Sequence, residues 1–260
     1  PTDVVTFNGN WQEQDMDQVW EQCAYCLKGV MDSKIAAPED ILGIGLSGQG
    51  EGMWMIDADG KPVKKASLWS DGRAAETIAK MTPEELDKFY SICGSAPTTS
   101  NTMLQLKWYH DNQPEIFDNV ATIFHCKDWV RFKLTGERHT EWTDLSVSQV
   151  DVTKGELATE VYKMFGVDKY MDLFPSPVRS AEKAGEVTAE AAAMTGLKAG
   201  TPVAGGALDV TITMVGVNAI NAGDVYAILG TTCCTGVVLD PKKMNIDTAD
   251  KNLCTVLHPK

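Results

Sequence analysis

The sequence predicts an α/β fold, a mixed sheet flanked by helices. Two observations carry it: segments with apolar residues at helical spacing alternate with short apolar runs bounded by glycine, and the C-terminal part reads as a hairpin. At 260 residues, with 43% hydrophobic and 23% charged side chains, the chain can bury a substantial core.

The elements follow in order. From Glu13 to Asp32, Met16, Val19, Trp20, Cys23, Leu27 and Val30 form one apolar stripe, which predicts an amphipathic helix. Cys23 and Cys26 on it make a CxxC without a second pair or a nearby histidine, so they read as a core-facing or surface helix pair rather than a zinc or redox site. Next, "DILGIGLSGQGEGMWMID" (40–57) reads as a buried strand, a glycine-rich turn and a second strand, closed by the Asp-Gly turn at 59–60. "TPEELDKFYSICG" (82–94) has Thr82 as N-cap, Pro83 at the first helical position, Glu85 completing a capping box and Gly94 beyond the end.

Helices over 101–112 and 126–134 flank the strand "ATIFHC" (121–126), and "VTAEAAAMTG" (187–196) is another capped helix. Pro202, Val203 and Ala204 read as the end of a buried strand, which places Asp209 where a strand stops and a helix begins, as an N-cap. "NAINAGD" (218–224) is a linker, and "VYAILGTTCCTGVVL" (225–239) is strand, tight turn, strand.

A formal net charge of −13 repels phosphate backbones and anionic lipid, so nucleic acid and membrane are poor partners, while a small neutral ligand is easily accommodated. No apolar run is long enough to span a bilayer and the N-terminus lacks signal-peptide character; a cytoplasmic location is the expectation. Seven cysteines show no disulfide framework, and His110, His125, His139 and His258 show no metal-ligand spacing and read as structural.

Four stretches could carry chemistry. "GIGLSG" (43–48) matches a dinucleotide fingerprint, yet a strand follows where the phosphate-binding helix should start. "SGQGEG" (47–52) leaves Gln49 and Glu51 as the only long polar groups on a strand end stripped of side chains; it is either a surface that a polyhydroxylated ligand approaches closely or a solvated turn. "LWSDGR" (68–73) groups Trp69, Asp71 and Arg73, an aromatic face with hydrogen-bonding partners for a sugar or a buried Trp beside a surface ion pair. "LGTTCC" (229–234) offers amides and hydroxyls at a tight turn that can hold a phosphate, as ordinary hairpins also do; no GxxxxGK[ST] loop is present.

Taken together, "WQEQD" (11–15), "GIGLSGQGEG" (43–52), "LWSDGRA" (68–74), "KDWVRFKLTGE" (127–137), "TDLSVS" (143–148), "TGLKAGTPVAGGALD" (195–209) and "LGTT" (229–232) resemble the FGGY family of carbohydrate kinases. The resemblance implies the actin-like, ribonuclease-H-like ATPase fold and transfer of phosphate from Mg-ATP to a sugar or polyol. By matching position, Asp209 looks like the general base, presented by glycines that leave room for substrate. Gln49, Gly50 and Glu51 look like the sugar-contacting turn and Trp69, Asp71 and Arg73 like the substrate wall. Gly230, Thr231 and Thr232 look like the phosphate loop for ATP and Mg2+.

The Gly-Glu pair at 50 and 51 departs from the Met-His usual in xylulose kinases and points to a less usual ketopentose such as L-xylulose, or to a tetritol or glycerol-like polyol. Gln105 stands where the family usually has lysine. The resemblance divides the chain into a sugar-binding N-terminal lobe over 1–221, without the first strands and their DxGT hairpin, and the beginning of the ATP-binding lobe over 222–260. Alone, these residues are expected to be inactive. The expected partner is a small-molecule sugar or polyol, with a homodimer as a candidate assembly. A non-catalytic sugar-binding or regulatory module of the same fold is the rival reading, and a nicotinamide-dependent oxidoreductase ranks third.

Overall fold

The computed structural model describes residues 2–229, 233–243, 245, 251 and 253–259. An antiparallel hairpin, β1 (Val4–Phe7) against β2 (Trp11–Gln14), opens the chain. Helix α1 (Met16–Asp32) starts later than its apolar spacing indicates, because Glu13 and Gln14 are committed to strand pairing with Ser67 and Ala66. Asp15 caps it, its Oδ1 accepting from the Gln18 N–H at 3.1 Å. Asp15→Ala is expected to lower unfolding stability by about 1 kcal/mol, read by urea denaturation.

After α1 come β3 (Ser47–Gly48), β4 (Trp54–Ile56) and β5 (Ala66–Ser67), then α2 (Ala75–Ala79), α3 (Pro83–Cys93) and α4 (Thr102–Asn112). Helix α3 has the expected capping box, and Gly94 ends it at φ 66°, a left-handed conformation that glycine adopts without strain. Strand β6 (Thr122–Phe124) leads into α5 (Cys126–Thr135), and β7 (Thr140–Glu141) into the one-turn helix α6 (Trp142–Leu145). Strands β8 (Val150–Asp151) and β9 (Glu156–Leu157), helix α7 (Thr159–Met164), and strands β10 (Pro177–Val178) and β11 (Lys183–Glu186) precede α8 (Ala189–Thr195). The last elements are β12 (Pro202–Ala204), β13 (Ala207–Leu208), α9 (Asp209–Gly216) and the antiparallel hairpin β14 (Val225–Leu229) with β15 (Cys233–Val237).

The strands pair both ways in separate short ladders: β2 antiparallel with β5, β4 antiparallel with β6, and β3 parallel to β13. Period-2 alternation on the central pair sends Met53, Met55 and Ile123 into one core, with Phe89, Leu104 and Tyr109 of α3 and α4. Trp54, Ile56 and Phe124 point the other way, against Trp20, Trp129 and Leu134 of α1 and α5. Helices therefore cover both faces. Cys23 packs against this second core and Cys26 is exposed, both as free thiols.

One expectation fails. The run 41–46 is an open edge rather than a buried strand: Leu42 is 87% exposed, and Ile44 makes a single parallel bridge to Val203. A run of this kind is buried only with neighbours on both sides, and among the described residues it has one. Among the described residues, no helix is long and apolar enough to cross a membrane.

Candidate functional site

Three segments converge, joined by strand pairing and backbone hydrogen bonds. The parallel pairing of Ser47 and Gly48 with Ala207 and Leu208 puts the glycine-rich turn beside the β13–α9 corner. The hydrogen bond from the Met53 N–H to the Ser67 carbonyl, 2.9 Å, brings in the segment that carries Trp69, Asp71 and Arg73.

At the corner, Leu208 is the N-cap and Asp209 the first helical residue, one place later than the expected cap. The cap position is held by Leu208, which has no side-chain cap bond, and the Asp209 carboxylate instead serves the amide of the next residue: its Oδ1 accepts from the Val210 N–H at 2.7 Å. Asp209 is exposed. Protein atoms on its inner side nevertheless remove enough water to raise its pKa, against the lowering by the Val210 bond.

The glycines around it do not leave space for a ligand. A Cβ on Gly205 would lie 2.4 Å from the Arg179 carbonyl oxygen, and one on Gly206, at φ 77°, 2.5 Å from that of Leu46. The room is filled by the protein's own backbone. Gly50 behaves likewise: a Cβ there would lie 2.2 Å from Leu208 Cδ1 and 2.8 Å from Asp144 Oδ1.

Glu51, held at φ 59°, turns inward. Its carboxylate accepts from the Thr102 N–H, from Asn101 Nδ2 at 3.3 Å and from the Ser148 hydroxyl at 3.3 Å. It therefore caps α4 from a distant segment, where the positive end of the helix favours an anion. Burial raises its pKa, opposed by His125 and these hydrogen bonds. Gln49 is half-buried, its Nε2 donating to Gln14 Oε1 at 3.4 Å.

Asp71 and Arg73 are also internal rather than ligand-facing. Asp71 accepts from the Gln12 N–H at 2.6 Å and from Arg73 Nε and Nη2 at 2.7 and 2.9 Å. The Arg73 guanidinium reaches Glu13 and the Tyr109 hydroxyl and lies over the rings of Trp11, Trp108 and Tyr109. Trp69, two residues before Asp71, is 50% exposed. Gln105 locks the same segment, accepting from the Ser67 hydroxyl at 2.7 Å and donating to the Leu68 carbonyl at 2.8 Å. Gly230, Thr231 and Thr232 lie outside the described residues.

Beneath the corner is an ionic network whose role sequence reading missed, although its residues lie in the quoted motifs. Lys127 Nζ contacts Asp128 Oδ1 at 2.9 Å, Glu141 Oε2 at 3.4 Å and the Asp144 carboxylate. All four side chains are fully buried. Burial alone would lower the Lys127 pKa; the three carboxylates outweigh it and raise it. Burial raises Asp144, while Lys127 and Arg131 overcome burial at Asp128 and hold it far below the usual range.

From here bonds run outward to the corner. Glu141 Oε2 accepts from the Thr143 hydroxyl at 2.6 Å, and Thr143 Oγ1 accepts from the Leu208 N–H at 2.9 Å. Arg131 Nη1 donates to the Gly205 carbonyl at 2.5 Å. Three charged residues set around the apolar pair Trp129 and Val130 within "KDWVR" were the available signal; the other partners, Glu141, Asp144 and Gly205, are distant in sequence.

His125, Asp128 and Asp144 bring potential metal-ligand atoms within 4.8 Å of one another, which sequence spacing did not show. Mg2+ does not fit there. The Lys127 ammonium and the Arg131 guanidinium already contact these carboxylates, and a cation preferring water and several oxygens would have to displace them.

Residues 3–216 match the FGGY family of carbohydrate kinases, N-terminal domain. The chain is 32% identical over 227 residues to the L-xylulose/3-keto-L-gulonate kinase of Escherichia coli (strain K12), covering 86% of this chain and 46% of that protein. It is 30% identical over 230 residues to the erythritol kinase of Brucella abortus (strain 2308), covering 88% of this chain and 44% of that protein. Among solved structures, a xylulose kinase from Brucella ovis superposes with a TM-score of 0.79 at 29% identity, covering 90% of this chain and 48% of the other. The chain thus spans about half the length of the relatives it matches.

Proposed function

Since the chain belongs to the FGGY family of carbohydrate kinases and has the actin-like ATPase fold of its structural neighbours, we propose that the protein transfers the γ-phosphoryl group of ATP to a hydroxyl of a sugar or polyol. The observation that carries this reading is the Asp209 carboxylate, exposed at the strand-to-helix corner beside the 49–51 turn. Asp209 takes the proton from the attacking hydroxyl, and the raised pKa of its carboxyl suits it to that exchange. Alignment of the hydroxyl with the phosphorus supplies most of the remaining acceleration.

Gln49 and Trp69 face the substrate, Trp69 packing its half-exposed ring on the C–H face of the sugar. Glu51, Asp71 and Arg73 act as positioning residues, holding the 49–51 turn and the Trp69 segment from within. Residues 1–221 form the sugar-binding lobe and 222–260 begin the ATP-binding lobe, with Gly230, Thr231 and Thr232 next to the nucleotide phosphates. Mg2+ neutralises phosphate charge when it arrives with the nucleotide. The Gly50-Glu51 pair and the relatives named for L-xylulose and erythritol support a ketopentose such as L-xylulose, or a tetritol, as acceptor.

The test is a coupled ADP-release assay on the protein expressed from its full reading frame, with D-xylulose, L-xylulose, erythritol and glycerol. ATP- and sugar-dependent ADP release is expected with at least one of them. No phosphorylation with any overturns the kinase reading.

A further inference from the structure

Leu208 directly precedes Asp209 and is itself held by three contacts. Its backbone is clamped twice, by parallel pairing with Gly48 and by the 2.9 Å hydrogen bond from its N–H to Thr143 Oγ1. Its side chain, buried at 6% exposure, makes a third contact by filling the seat left open by the missing side chain of Gly50. The fit is tight. An added Cβ at position 50 would stand 2.2 Å from Leu208 Cδ1 and 3.5 Å from Leu208 Cγ. Asp144 Oδ1, 2.8 Å from the same point, closes the other side.

We propose that Gly50 and Leu208 are a size-matched pair that sets the position of Asp209, so that Leu208 is a positioning residue of the phosphoryl-transfer site; this rests on the kinase reading above. The backbone of Leu208 cannot yield without breaking the β3–β13 pairing or the Thr143 bond. Any side chain at 50 therefore either turns the leucine out of its seat or pushes the corner outward. Asp209 is the next residue along, and a displacement of about 1 Å at a base is enough to cost about 10²-fold in rate. A shorter residue at 208 removes the 2.2 Å contact, the closer of the two, and leaves only the 2.8 Å approach to Asp144 Oδ1 for a carboxylate tip to relieve.

The experiment compares the wild type with Gly50→Ala, Leu208→Ala and the double variant, in the protein expressed from its full reading frame. Gly50→Ala is expected to lower kcat by about 10²-fold with little change in KM. The double variant is expected to recover at least about tenfold of that loss, an interaction larger than independent sites would show. Equal kcat in the Gly50→Ala and double variants overturns the proposal, as does a Gly50→Ala effect confined to KM. If Gly50→Ala does not fold, the double variant decides: folding and turnover support the pair, and failure to fold overturns it.

A wild type that phosphorylates nothing sinks the kinase reading instead, and the pair is then read without catalysis. The Asp209 carboxyl is followed by 13C NMR through a pH titration. A midpoint shifted in Gly50→Ala and restored in the double variant supports positioning by Leu208, and a midpoint unmoved by Gly50→Ala overturns it.

Discussion

Replacing Asp209 with asparagine is expected to lower kcat by about 10²–10⁴-fold while leaving sugar binding and thermal stability near wild type. Asparagine keeps the shape and the Oδ1 that accepts from Val210, so α9 retains its start; only the ability to take a proton is lost. Steady-state kinetics with isothermal titration of the sugar checks both halves. The wild type adds a pH signature. Partial desolvation raises the Asp209 pKa, so the acid limb of kcat/KM should lie above the ordinary aspartate value, where protonation removes the base. Asparagine at 209 should abolish that limb in the residual activity. Unchanged kcat in Asp209→Asn would mean that another group takes the proton.

Lys127→Met is expected to destabilise the protein by about 3–5 kcal/mol, because it removes the cation shared by three fully buried carboxylates. Arg131 reaches only Asp128 among these, which leaves Glu141 and Asp144 without a Lys or Arg in contact. The pH dependence has a definite sign. In the wild type the depressed Asp128 pKa contributes stability that is present above the unfolded-state pKa and lost as pH falls through the folded-state pKa. In Lys127→Met the Asp144 carboxyl, already raised by burial, loses the cation that opposes that rise, so the variant loses more stability as pH rises through the folded-state pKa of Asp144. The gap between the two proteins should therefore narrow on acidification. Urea denaturation at neutral and mildly acidic pH measures it, and a constant gap would show that lost packing of the lysine stem is the cause.

The parts of this protein that were legible in the sequence are those decided within a few residues. Capping boxes, terminal glycines and 3.6-residue apolar spacing locate α1, α3, α5 and α8 because each helix end satisfies its orphan N–H and C=O groups locally. The glycine-rich turn and the change from strand to helix at Asp209 were readable for the same reason, whereas the FGGY motifs were readable from their order along the chain. The β1–β2 hairpin was not, since its four-residue strands are held by pairing with β5, some fifty residues away.

The same limit governed the site. The glycines of 47–52 and 205–206 looked like room for a ligand, and the structure fills that room with Leu208, Asp144 and backbone carbonyls. Glu51, Asp71 and Arg73 looked like sugar ligands, and they turn inward to cap α4 and to lock the Trp69 segment. By itself the sequence determined which residues can take or carry a proton, where the chain turns, and which kinase family its motifs belong to. Only the tertiary structure decided which of those residues face outward, because burial and partnership depend on segments distant in sequence. An acid reads the same in the one-dimensional chain whether its neighbour in space is water or the N-terminus of a helix.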